Sequence, residues 1–243
     1  MDLFGTRSFA LTFLAFAGLG FAGHGYAASE DSIWSSEVEV GAVYATGNTD
    51  ETNFKFRGEA VRDGEVYENS YKLDILNSSQ NDVKTAQKVY GVYQLDRKLN
   101  EVSSVFGRFA YEDDSFSGFD NQIDLTVGYS RDLIVSEIHK LEGSVGLGYR
   151  QSELETGGSE DEVIVTLSAD YRWEVSDNST FKQALSAQIG DFATITRSET
   201  SLTANVLEDL ALKLALYIKN TSEVPVGRDK TDTETAMTLL YKF

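Results

Sequence analysis

Charged residues in this 243-residue chain fall at alternate positions along short segments. Lys55, Arg57 and Glu59 interleave with Phe54, Phe56 and Gly58; Lys72 and Asp74 interleave with Tyr71, Leu73 and Ile75; Arg197 and Glu199 repeat the spacing. Residues two apart in an extended chain share one face. Cations and carboxylates gathered on one face can pair with one another, line a water-filled passage, or hold a small charged solute.

Catalysis has far less to build on. Cysteine is absent, which removes thiolate metal sites and cysteine nucleophiles. Of the two histidines, His24 lies in the apolar N-terminal stretch and His139 sits beside a short turn, so no Ser-His-Asp set can be assembled. The acidic run Glu153–Glu162, "ELETGGSEDE", lacks the alternate-ligand spacing and closing glutamate of a calcium loop. No catalytic residue, metal or cofactor is expected, and a hydrolase with His139 as its base is the weakest alternative.

The elements that would position the charged face are strands. From Trp34 onward, apolar and polar residues alternate in about twelve segments of about ten to thirteen residues. A bilayer crossing by a tilted strand takes about nine to eleven residues, more than the usual five or six of a soluble strand. The chain has 1 proline against 12 tyrosines and 14 phenylalanines, which suits interior strands. Short connections ("DGE", "RKLN", "VSE", "SDN", "ED") follow the even-numbered segments. Longer ones ("NSSQND", "EDDSFSGFDN", "SELETGGSED", "NTSEVPVGRDK") follow odd-numbered ones. The pattern predicts an all-β fold: a transmembrane antiparallel up-and-down barrel with short periplasmic turns and longer outer loops.

The direction of the apolar face separates this from a secreted β-sandwich or a lipocalin-like barrel, whose apolar face turns inward. Aromatics of the apolar phase cluster at segment ends. Trp34, Tyr67, Tyr93, Tyr129, Tyr171, Trp173, Phe181, Tyr241 and Phe243 fall at the short-turn end, and Tyr44, Phe54, Tyr111 and Tyr149 at the other. Two such rings are interfacial belts. The final strand is apolar in phase to its last residues, Leu239, Tyr241 and Phe243, as closure against the first strand requires.

The other phase then lines a lumen. Its candidate residues are Lys55, Arg57, Glu59, Lys72, Asp74, Lys88 and Arg108 in the first half, with Asp124, Arg150, Asp170, Arg172, Arg197, Glu199 and Lys213 in the second. Glu39, Glu112, Lys219 and Glu234 share the phase, so the lumen is nearly balanced although the chain carries a formal net charge of −18. Twelve strands tilted near 40° give a backbone diameter of roughly 24 Å, leaving a gap of order 10 Å or less inside. Two readings stand side by side: a narrow passive channel for small solutes, or a structural or interaction barrel whose lumen is closed by Arg–carboxylate pairs.

The N-terminus has one basic residue, Arg7, before an apolar run from Phe9 to about Phe21, then Gly25-Tyr26-Ala27. This reads as a secretory signal peptide over residues 1–27, with the barrel over 28–243. The expected location is the outer membrane of a Gram-negative bacterium. The expected partners are outer-membrane lipid, lipopolysaccharide and the assembly machinery, with nucleic acid excluded by the negative charge.

Several stretches carry a family resemblance. "WSSEVEVGAVYATGNTDETN" (34–53), "YQLDRKL" (93–99), "RFAYEDDSFSGFD" (108–120) and "VGLGYR" (145–150) resemble, in order, the bacterial salt-induced outer-membrane proteins, a domain family otherwise of unknown function. The resemblance implies an outer-membrane location and expression linked to salt or envelope stress, and it brings no catalytic residues. The final Leu239, Tyr241 and Phe243 are also similar to the C-terminal signal, closing in phenylalanine, that outer-membrane assembly machinery reads.

Overall fold

The computed structural model describes residues 33–46, 51–80, 83–114, 117, 119–155 and 157–243. The segment expected to be a signal peptide lies outside the described residues. Twelve strands follow one another: β1 (Trp34–Thr46), β2 (Glu51–Asp63), β3 (Tyr67–Gln80), β4 (Val83–Asn100), β5 (Ser103–Asp114), β6 (Phe119–Val135), β7 (His139–Leu154), β8 (Ser159–Ser176), β9 (Ser179–Gly190), β10 (Thr194–Asn205), β11 (Leu210–Thr221) and β12 (Thr231–Lys242). Each pairs antiparallel with the next, and β12 returns to β1 to close the barrel. No strand is left with an open edge, the condition a sheet must meet inside hydrocarbon.

The seam is tight to its end. Glu37 faces Lys242 and Val38 faces Tyr241. Beyond them Ser36 N–H donates to Phe243 O at 3.0 Å, and Phe243 N–H donates to Ser36 O at 3.0 Å. The bulges sit near strand ends, as at Lys98/Asn100, Asp132/Ile134 and Glu174/Ser176, where a barrel rim bends its strands.

The structure differs from the sequence reading in its outer loops. "EDDSFSGFDN" and "SELETGGSED" are in large part strand: β5 runs to Asp114 and β6 starts at Phe119, while β7 runs to Leu154 and β8 starts at Ser159. The β7–β8 turn uses Gly157 and Gly158 at φ 86° and 104°, a region glycine enters without a steric penalty. Past the bilayer both faces of a strand meet water, so backbone pairing continues with no apolar phase to mark it.

Side chains sort by phase. Val127, Val163 and Leu147 are 68%, 67% and 62% exposed, whereas Arg57 and Arg150 are 3% and 0% exposed. A soluble protein shows the reverse. The aromatic belt at the short-turn end is a set of contacts: Trp34 stacks on Tyr71 and Tyr71 lies against Tyr93, His139 stacks between Tyr171 and Trp173, and Tyr241 leans on Phe243. Tyr44 lies outside the described side chains.

Candidate functional site

The charged phase of the strands meets inside the barrel. At its loop end, Arg150 of β7 reaches Asp124 of β6 with Nε at 3.2 Å and Glu162 of β8 with Nη1 at 3.2 Å. The same Nη1 donates to Ala193 O at 3.3 Å. Glu162 Oε2 accepts the backbone N–H of Phe192 at 2.8 Å and of Ala193 at 3.3 Å. One guanidinium and one carboxylate thus hold the short β9–β10 turn, Asp191–Ala193, against the interior of the mouth, where Phe119, Ala193 and Ile195 are buried. Gly190 makes room for this clamp, since a Cβ there would overlap the Glu162 carboxylate.

Deeper in, the pairs leave neighbouring strands and span the barrel. Gln188 joins Asp124 (2.9 Å) to Arg197 (2.6 Å). Arg197 of β10 reaches Glu112 of β5 at 2.6 Å, and Lys219 of β11 reaches the other oxygen of Glu112 at 2.7 Å. Lys88 bridges Glu112 and Glu234 at 3.6 Å each, and Lys55 bridges Glu234 (2.8 Å) and Asp74 (3.5 Å). Arg57 of β2 grips Asp74 at 2.6 Å and Glu199 of β10 at 2.8 Å. Lys213 connects Glu199 (3.2 Å) to Glu39 (2.9 Å), and Lys72 connects Glu199 (3.6 Å) to Glu59 (3.3 Å).

The result is one connected lattice. Its eight cations are Lys55, Arg57, Lys72, Lys88, Arg150, Arg197, Lys213 and Lys219; its eight carboxylates are Glu39, Glu59, Asp74, Glu112, Asp124, Glu162, Glu199 and Glu234. Equal numbers matter here, because an unmatched charge at such depth would carry a desolvation penalty of several kcal/mol (~) without compensation. Tyr217 packs beneath it, with Lys55 Nζ 4.0 Å and Arg57 Cζ 4.6 Å from the ring centroid.

The lattice itself lines a cavity of about 460 Å³: Arg57, Glu112, Arg197 and Glu199 stand in its wall, and Ser70, Gln94, Arg108, Ser168, Asp170 and Ser186 complete it. Arg108 donates to Tyr90 Oη at 2.8 Å. Among the described residues, neither Arg108 nor Asp170 has an oppositely charged group within 4.0 Å. Arg172 stands nearer the short-turn rim, exposed and paired with Glu174. His139 is on the outer surface, where its Nδ1 lies 2.8 Å from Tyr171 Oη. What the interior can do is hold water and small polar solutes among charges that pin opposite walls together.

Sequence reasoning missed Gln188, Tyr217 and the backbone of Phe192 and Ala193. Strand parity places Gln188 and Tyr217 inward, but their types gave no reason to single them out. The role of the β9–β10 backbone depends on the turn folding inward, which composition does not encode.

A model of the family described as "Protein of unknown function, DUF481" matches residues 38–243. The chain is 25% identical over 215 residues to the uncharacterized protein YdiY of Escherichia coli (strain K12), spanning 88% of this chain and 85% of that one. Among solved structures it is similar to the NanC porin, with a TM-score of 0.59 at 11% identity over 85% of this chain and 100% of that one. It is also similar to the translocator domain of the autotransporter NalP from Neisseria meningitidis, with a TM-score of 0.53 at 10% identity over 86% and 88%. The fold is that of an outer-membrane β-barrel.

Proposed function

The chain belongs to the DUF481 family, and on that premise we propose that it is a narrow passive channel for small polar solutes whose resting state is closed by the cross-lumen lattice. The observation that carries this is the coexistence of two things in one lumen. A cavity of about 460 Å³ lined mostly by polar and charged side chains runs through the interior, and the same lining ties strands across the lumen at 2.6–2.8 Å through Glu112 and Glu199. A barrel with a purely structural interior has no use for the cavity, whereas a permanently open pore has no use for the ties. No catalysis is assigned to His139 or to any other residue.

Conductance tests the reading. In planar bilayers the wild-type barrel should be mostly silent with rare small steps, and Glu112→Gln or Arg197→Gln should make openings at least about tenfold more frequent. Silence of the wild type and of both folded variants at all voltages would leave the closed structural barrel as the function.

The proposal extends to the ends of the chain and to its context. Cleavage after Ala27 should give a mature protein beginning at Ala28, read by intact mass. Expression tied to salt or envelope stress rests on the resemblance of residues 34–150, and a deletion strain with unchanged growth and envelope integrity in high salt would remove it.

A further inference from the structure

The outer surface of the barrel is not evenly covered. Across β4–β8 one row of outward residues runs Leu95, Gly107, Val127, Leu147, Val165. Gly107 leaves a gap in it, and a Cβ there would meet nothing within 4 Å, so packing does not demand the glycine. Around it lies a depression of about 760 Å³, walled by Leu95, Val105, Val127, Val145 and Leu147. On a lipid-facing wall such an apolar trough has the chemistry to take an acyl chain.

Its short-turn end is cationic. Arg97 borders the trough, in the row Arg97–Val105–Tyr129, and Arg131 follows Tyr129 at the next outward position of β6. Both arginines are exposed. In a chain with 39 acidic and 21 basic residues, neither has a carboxylate within 4.0 Å among the described residues. The lattice cations inside the barrel are all matched, so this pair is left for something outside the protein. The two Cα atoms are on the order of 12 Å apart, from two strand spacings and a two-residue rise, and long side chains can converge on one group between them. Tyr93 and Tyr129 of the aromatic belt mark this level as the headgroup region. A guanidinium there is complementary to a phosphate, which it can bind through two N–H groups.

We propose that Arg97, Arg131 and the Gly107 trough form a binding site for one anionic phospholipid of the leaflet on the short-turn side. The phosphate sits between the two guanidiniums and one acyl chain lies across Gly107 against Val127 and Leu147. The site rests on the outer-membrane location and is independent of whether the lumen conducts.

The test uses the full barrel in detergent, titrated with phosphatidylglycerol or phosphatidylcholine and read by native mass spectrometry. The wild type should retain one phosphatidylglycerol at least about tenfold more strongly than phosphatidylcholine, the scale of one charge-assisted pair. Arg97→Gln/Arg131→Gln should abolish that preference, and Gly107→Leu should weaken retention of both lipids by filling the trough. Arg62→Gln, at an outward arginine of β2 away from the trough, should change neither. Equal retention of the two lipids by the wild type overturns the proposal without recourse to any variant. So does undiminished retention by Gly107→Leu, or a loss in Arg62→Gln matching that of the double variant.

Discussion

Lys219 Nζ lies 2.7 Å from Glu112 Oε1, although β11 and β5, which carry them, stand six strands apart in a ring of twelve. The contact therefore spans the barrel. Glu112 also receives Arg197 at 2.6 Å and Lys88 at 3.6 Å, so one carboxylate compensates three cations from three strands.

Glu112→Gln removes that compensation and leaves three cations facing a neutral amide. Breaking a buried pair from one side costs about 3–5 kcal/mol. Denaturant unfolding of the barrel in vesicles should show a loss of that size. Lys219→Met added to Glu112→Gln should cost less than the two single changes summed, because one orphaned charge is then gone. Strict additivity would mean that the two residues do not interact.

The β9–β10 turn should be released by Glu162→Gln. Glu162 Oε2 takes the N–H groups of Phe192 and Ala193, and hydrogen bonds to a charged group contribute about 1.5–3 kcal/mol. Amide exchange at Phe192 and Ala193 should speed up by about tenfold or more, while amides in the β6–β7 ladder stay protected. Gly190→Ala should mimic it by displacing the same carboxylate.

Lipid-facing positions should reject charge despite their exposure. Val127 is 68% exposed, and in water a lysine there would be neutral in effect. Facing hydrocarbon near mid-depth, Val127→Lys should destabilise the barrel by about 2–4 kcal/mol. Val206→Lys, at an exposed residue of the short β10–β11 connection, should cost about 1 kcal/mol or less. Similar values at the two sites would contradict a membrane-embedded wall.

Shortening the seam should impair assembly. Phe243 contributes two backbone hydrogen bonds to Ser36 and packs against Tyr241, whose ring centroid is 5.7 Å away. Deleting Phe243 should lower the yield of heat-modifiable barrel in isolated membranes, whereas Phe243→Tyr should restore it. Equal yields for the deletion and the wild type would mean that this residue is dispensable for assembly.

Much of the fold is legible because a period of two is unambiguous once one face meets hydrocarbon. Val38 and Val40 against Glu37 and Glu39 already give the inside and outside of β1, and the same logic runs to Tyr241. The partners of the inward charges are not legible. Lys219 and Glu112 are separated by 107 residues, and nothing local tells Lys219 that its anion stands on the far wall. Strand tilt and closure decide that, and both are properties of the whole ring. The strand overhangs at Glu112–Asp114 and Ser152–Leu154 are not legible for the opposite reason, since above the bilayer the pairing of the backbone leaves no mark on side-chain type.

The hydrogen bonds between Ser36 and Phe243 carry a consequence for biogenesis. Of the twelve strands, the one that leaves the ribosome last is the partner of the one that leaves first. A chain interrupted anywhere before that point keeps two sticky flanks, each able to template aggregation. Ring closure thus waits until the first and the last strand have both arrived at the bilayer.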